Sequence, residues 1–235
     1  MIEGRLAERT RLVSQHLGGQ QGRAGMNWEG EGTIHENCVV FFKVNEEWGG
    51  LSNMSNEFPL RVNELRIGSS EALYQACRFP HRPDWQREIL DAPHAMQAKM
   101  KAKKEGRRKE HSRPDWEAVQ ADVMRWCLRV KLAQHFKKFG GLLRWSAPRP
   151  IVEQSRKDRF WGAVLERDGV LRGENHLGRL LMELREELAA CKQAGEESRL
   201  LRVEPPPIAD FLLLGQPISV IDNMSQQNPG PAKPK

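Results

Sequence analysis

Pro114-Asp-Trp-Glu-Ala-Val-Gln-Ala-Asp-Val-Met-Arg-Trp-Cys-Leu-Arg-Val-Lys-Leu-Ala133 is the stretch that decides the fold class. Proline sits at an early helical position and acids occupy the first turn, the usual opening of an α-helix. Val119, Val123, Trp126 with Cys127, Val130 and Ala133 then recur at three- and four-residue steps. That spacing predicts a long helix lying across the core, stopped at Gly140-Gly141. Working outward, Leu177, Leu180, Leu181, Leu184 and Leu188 form a second stripe of the same period, entered from Gly173-Glu-Asn-His176. Upstream, Ser69-Ser70 offers an N-cap to a helix over Glu71–Phe79 with a carboxylate in its first turn. Pro80 and Pro83 end it, and shorter helices are predicted over Trp85–Leu90 and Ala95–Glu105. The β signals are few. Val39–Phe42 is a short apolar run, and Phe58–Ile67 alternates around a hairpin turn at Val62-Asn-Glu-Leu65. The expected fold is α+β, mainly helical, with one small antiparallel β element.

The 235 residues carry a formal net charge of +6, and all of it falls between Lys99 and Arg113, where eight basic residues meet two acidic ones. This excludes the evenly spread basicity of a histone-like binder, so any anionic partner is met locally. Lys101, Lys103, Lys104, Arg107 and Arg108 are the candidate nucleic-acid contacts; the alternative is an ordinary solvated face, with Glu105 and Glu110 weakening the field. Seven Trp, eight Phe and a hydrophobic fraction of 39% suffice for one core. Four cysteines without a C-x-x-C spacing read as reduced thiols. No apolar signal region and no run of about 18–20 apolar residues occurs, so a soluble, cytoplasmic protein is expected. The expected organisation is a flexible tail over 1–30, a catalytic domain over 31–192, a linker and packing arm over 193–222 beginning near Glu204-Pro-Pro-Pro207, and a disordered tail over 223–235.

Three common chemistries are missing. There is no HExxH, the seven histidines lack ligand spacing, and neither a phosphate-cradling glycine loop nor a G-x-S-x-G elbow occurs. No metal and no cofactor are expected. What remains is acids, a lysine and aromatics. Glu71 either complements a helix dipole or serves as a reactive carboxylate. Asp158, in Asp158-Arg-Phe-Trp-Gly162, either caps a turn beside a core tryptophan or acts with Trp161. Trp116 is core or the wall of a ring-binding slot. Lys43, between Phe42 and Val44, is an edge-strand lysine or an amine activated against apolar walls. Leu51-Ser-Asn-Met-Ser55 is a polar loop with side-chain donors.

In order along the chain stand Phe42-Lys43, Trp48-Gly-Gly-Leu-Ser-Asn53, Ser70-Glu-Ala-Leu-Tyr-Gln-Ala-Cys-Arg-Phe79, Arg113-Pro-Asp-Trp116, Val123-Met124, Ile151-Val-Glu-x-Ser155, Asp158-x-Phe-Trp-Gly162 and Gly173-x-Asn-x-Leu-Gly-x-Leu-Leu-Met182. This series, covering residues 38–190, resembles the YbiA-like, or NADAR (NAD- and ADP-ribose-associated), family. The resemblance implies a single compact, mostly helical α+β domain and an N-glycosidase. It puts catalytic roles on Lys43, Glu71 and Asp158, and substrate contacts on Asn53, Trp116, Trp161 and Asn175. It implies one of two substrates. The first is ADP-ribosylated guanine in DNA, with a DNA ADP-ribosyltransferase toxin encoded in the same operon as partner; the second is a ribosylamino-pyrimidine phosphate of riboflavin synthesis. The basic run and the C-terminal arm favour the DNA substrate. A module that binds ADP-ribose or a nucleotide without cleaving it, and a nucleic-acid-binding accessory, are the remaining alternatives. The sequence departs from many relatives after Phe-Trp-Gly, reading Ala163-Val-Leu-Glu-Arg-Asp-Gly-Val-Leu171 in place of a Gly-Asp-Gly-like stretch.

Overall fold

A computed structural model describes residues 33–34, 38–104 and 111–224. Of the expected tails over 1–30 and 223–235, residues 1–30 and 225–235 lie outside the described residues, as do Arg107 and Arg108. Asn223 is buried and hydrogen-bonded, so the chain is ordered at the start of the expected C-terminal tail. The helices are α1 (Ser70–Cys77), α2 (Pro83–Leu90), α3 (Ala95–Ala102), α4 (Trp116–Gln134), α5 (Phe136–Ser146) and α6 (His176–Ala194). Three of them start or stop for a plain local reason. The Ser69 hydroxyl accepts from Ala72 N at 3.2 Å and caps α1, Pro83 opens α2, and Gly195 at φ 69° closes α6. Helix α1 is buried along its whole length and packs on α2, α3 and α4.

Glycines 140 and 141 do not end the long helix. The chain turns at His135 (φ −126°, ψ 41°), and both glycines lie inside α5. A side chain on Gly140 would meet Leu132 and Leu188 at 3.3–3.4 Å, so this glycine serves close packing of α5 between α4 and α6. The β structure is also larger than one antiparallel element. The expected hairpin is present as β3 (Leu60–Val62) and β4 (Leu65–Ile67), with Asn63 and Glu64 both at positive φ, the geometry of a two-residue hairpin turn. Beside it stands a five-stranded mixed sheet of β1 (Thr33–Ile34), β2 (Val39–Phe41), β5 (Ile151–Ser155), β6 (Ala163–Leu165) and β7 (Val170–Arg172), in the order β1-β7-β6-β5-β2. Strands β2/β5 and β5/β6 are parallel; β6/β7 and β1/β7 are antiparallel. The divergent stretch 163–171 is thus the β6–β7 hairpin of this sheet.

The C-terminal arm packs on the same core. Arg202–Val203 (β8) pairs with Ile221–Asp222 (β11), and Leu212–Leu213 (β9) with Gln216–Pro217 (β10). Phe211 meets the Trp126 ring edge-on at 5.0 Å, and Asn223 Nδ2 donates to Ala133 O at 2.9 Å. Cys38, Cys77 and Cys127 are buried free thiols and Cys191 is a partly buried one. No described helix is long and apolar enough to cross a membrane.

Lys131, on α4, is fully buried. Its Nζ donates to Gly50 O at 2.7 Å and to Ser52 O at 3.1 Å, and lies 4.7 Å and 4.3 Å from the ring centres of Phe58 and Phe139. Two hydrogen bonds are what a neutral amine can donate while still fitting an apolar surround. Burial pushes its pKa down to about 7 from the usual 10.5. Between those values the unfolded chain holds a proton that the folded chain has released, so this group's contribution to stability grows as pH rises through that window. Lys131→Met keeps the stem and removes the titration. In denaturant melts, the unfolding free energy of wild type minus variant is expected to grow by about 1 kcal/mol per pH unit above about pH 7. A difference independent of pH up to about pH 9 would contradict this.

Candidate functional site

The parallel strands β2 and β5 run side by side, and the carboxyl-terminal ends of both line a cavity of about 340 Å3. Phe42 follows β2, and Glu153, Gln154 and Ser155 close β5. The other walls come from α1 (Glu71, Tyr74, Gln75), α3 (Met96, Lys99), the first three turns of α4, and the loop carrying Asn53. Polar loops at the carboxyl ends of parallel strands are where α/β sheets commonly bind ligands.

Glu71 is buried in the first turn of α1. Gln75 Nε2 donates to its Oε1 at 2.9 Å, Lys99 Nζ lies 3.9 Å from the same oxygen, and its own N–H donates to Asn53 O at 3.0 Å. Asp158 sits in a tight turn, not a helix: its Oδ1 accepts from Phe160 N at 3.1 Å and Trp161 N at 2.9 Å, and its N–H donates to Ser155 Oγ at 3.0 Å. Oδ2 has no partner among the described residues, and Asp158 lines the cavity. Tyr74 joins the two tryptophans, lying 5.0 Å from Trp116 and 5.6 Å edge-on from Trp161. Burial and the Glu71 charge hold its phenol protonated, well above the usual range.

Five of the seven residues singled out for catalysis or substrate contact therefore line one cavity: Glu71, Asp158, Asn53, Trp116 and Trp161. Two do not. Lys43 lies beyond the end of β2, with a side chain 61% exposed and Nζ 3.7 Å from Glu46. Its neighbour Val44 is itself exposed, so the apolar walls expected around this amine are missing. Asn175 is fully buried at the start of α6 in the left-handed region (φ 51°). Its amide is consumed by β5: Nδ2 donates to Ile151 O at 2.9 Å, and Oδ1 accepts from Glu153 N at 3.1 Å. It positions the strand end rather than a ligand. Of the basic run, Lys99 and Lys103 line the cavity, Lys101 donates to Glu88 O at 2.9 Å on α2, and Lys104 is exposed.

The sequence reading missed Glu153 and Lys99. Glu153 is a carboxylate at the end of the apolar pair Ile151-Val152, an unusual place for a charge and the signal that was available. Burial raises its pKa to about 7; Lys99 opposes that shift, and the Glu71 and Asp158 charges add to it. Lys99 carried no signal of its own within a run of eight basic residues. Among the described residues no group of His, Cys, Asp and Glu could hold a metal ion.

An α+β domain with three carboxyl groups, two lysines and an aromatic wall around one cavity is the class that this geometry defines. A family model for the NADAR domain matches residues 40–189. N-glycosidase YbiA of Escherichia coli is 34% identical over 160 residues, covering 68% of this chain and 93% of that protein. A riboflavin biosynthesis protein of Vibrio vulnificus is 33% identical over 66% of this chain, which corresponds to 40% of its own length. The NMR structure of E. coli YbiA superimposes with a TM-score of 0.57 at 31% identity, covering 69% of this chain and 90% of that one. The chain belongs to the NADAR family.

Because the folded state favours protonated Glu153, its contribution to stability is full below the ordinary carboxylate pKa near 4.5 and is lost as pH rises through about 7. Glu153→Gln mimics the protonated form. The variant is expected to melt with wild type near pH 4.5 and above it at about pH 8. Melting below wild type at pH 8 would contradict the assignment.

Proposed function

We propose that the protein is an N-glycosidase that cleaves the bond between a ribose and an exocyclic amine. The observation that carries this reading is the single cavity holding Glu71, Glu153, Asp158 and Lys99 beside an aromatic wall. YbiA, a relative along nearly its whole length, bears the name N-glycosidase. A ribosylamine opens when the ring oxygen leaves C1 and takes a proton, giving an imine. The Lys99 amine, its proton passed to Glu71 at 3.9 Å, adds to C1. Glu153, as an acid, protonates the departing amine; water then hydrolyses the lysine imine, releasing the free sugar and restoring the lysine. Trp116 and Trp161 flank the departing base. The lysine of this scheme is Lys99 and not Lys43, whose ammonium lies outside the cavity.

Of the two substrates, the small one, a ribosylamino-pyrimidine phosphate, has more support. The cavity is at the lower end of the roughly 300–1,000 Å3 range of ligand sites, and two relatives are named as riboflavin biosynthesis proteins. ADP-ribosylated guanine in DNA is the second reading, favoured by Lys103 in the wall and by exposed Lys104 beside it. It would bring with it a DNA ADP-ribosyltransferase as partner. Both substrates are to be incubated with the protein and the released base or sugar measured, with borohydride added to trap the imine. Turnover of the small substrate with an adduct lost in Lys99→Ala and kept in Lys43→Ala is expected. Release from neither substrate overturns the N-glycosidase reading, and turnover without an adduct replaces the lysine by carboxylate-activated water.

A further inference from the structure

Two carboxamides in the cavity are half satisfied. Asn53 and Gln75 both line it, are 3% and 5% exposed, and their oxygens, Asn53 Oδ1 and Gln75 Oε1, meet no donor among the described residues. The orientation of each amide follows from its nitrogen. Gln75 Nε2 faces the Glu71 carboxylate, a position only a donor can occupy, so Oε1 points away from it. Asn53 Nδ2 faces the Met124 sulfur at 2.7 Å, which leaves Oδ1 as the free atom. A buried acceptor without a donor costs about 1–3 kcal/mol, so two of them in one cavity wall indicate a ligand that brings donors.

Resting on the N-glycosidase reading, we propose that Asn53 and Gln75 read the ribose: their free oxygens accept hydrogen bonds from its hydroxyls, including the 2-hydroxyl next to the reacting carbon. The site then takes ribosides and refuses 2-deoxyribosides. Position selects the sugar over the base as the donor. Both residues are tied to Glu71, Asn53 through its carbonyl and Gln75 through its amide, so they flank the carboxylate that takes the proton of the amine attacking the sugar carbon. The base has the Trp116, Tyr74 and Trp161 rings to lie against. In glycoside cleavage generally, a hydrogen bond at the 2-hydroxyl strengthens as C1 becomes cationic, so the same contact aids turnover.

Calorimetric titration with ribose 5-phosphate and 2-deoxyribose 5-phosphate tests this without requiring catalysis. Wild type is expected to bind the ribose compound about ten- to a hundredfold more tightly. Asn53→Leu and Gln75→Leu should each lose most of that preference by weakening the ribose compound alone. Asn53→Asp, which keeps an acceptor at the same position, should retain it and guards against a folding defect in the leucine variants. Equal affinities in wild type, no binding of either sugar, or a preference undiminished in both leucine variants overturns the proposal. Hydrolysis without sugar preference removes the ribose pair and leaves the N-glycosidase reading standing; preference without hydrolysis does the reverse.

Discussion

The amine of Lys131, held by two carbonyls in an apolar pocket, is the constraint on which the site is built. Gly50 and Ser52 lie in a buried loop whose backbone has no strand or long helix to pair with, and buried carbonyls require donors. Helix α4 supplies them through one side chain. The loop has little freedom to adjust: a side chain at Gly49 would collide with Val44 O at 2.2 Å, and one at Gly50 with Leu142 at 2.6 Å. So fixed, it delivers Asn53, whose side chain enters the cavity and whose carbonyl receives the Glu71 N–H. Two hydrogen-bonded contacts, joined through the Ser52–Asn53 backbone, thus connect α4 to the residue that carries the carboxylate at the start of α1.

The opposite wall is supported in the same way. Asn175 borrows the left-handed region to begin α6 and spends its amide on Ile151 and Glu153, which fixes where β5 ends. Close packing adds to it, since a side chain on Gly178 would fall 2.2 Å from Ile151 O. In both walls the residue that aims the chemistry is a buried polar group with every partner internal to the fold. Such support holds reactive groups in place before a ligand arrives.

The helices were legible because their apolar residues keep a 3.6-residue period over several turns, and the 60–67 hairpin because it alternates around a two-residue turn. The central sheet was not. Its strands are two to five residues long, and β5 buries Ile151 and Val152 in succession, as strands flanked in parallel do, leaving no alternation to read. Gly140-Gly141 read as a stop because glycine disfavours helices, while close approach to Leu132 and Leu188 favours it there. At the site, the sequence pattern gathered the acids and aromatics but could not tell which amine entered the cavity. Lys43 and Lys99 are equally plain lysines in the sequence. Only the end of β2 turning toward Glu46, and the register of α3 against α1, separate them.

The arm beyond α6 sets where the domain ends. The family match stops at residue 189, yet Leu200, Val203, Phe211, Leu213, Ile218 and Ile221 belong to the same apolar core as α4. Arg113, immediately before the Trp116 helix, gives a hydrogen bond to Ala209 O at 2.6 Å, and Gln86 on α2 bridges Leu212 O and Leu214 N. The apolar core of this protein therefore extends beyond the stretch that the family match covers. A fragment cut at the family boundary would strip the cover from Trp126 and the back of α4, the helix that also carries Lys131 and Trp116. What lies beyond the family match is, in this chain, the far side of the wall behind the cavity.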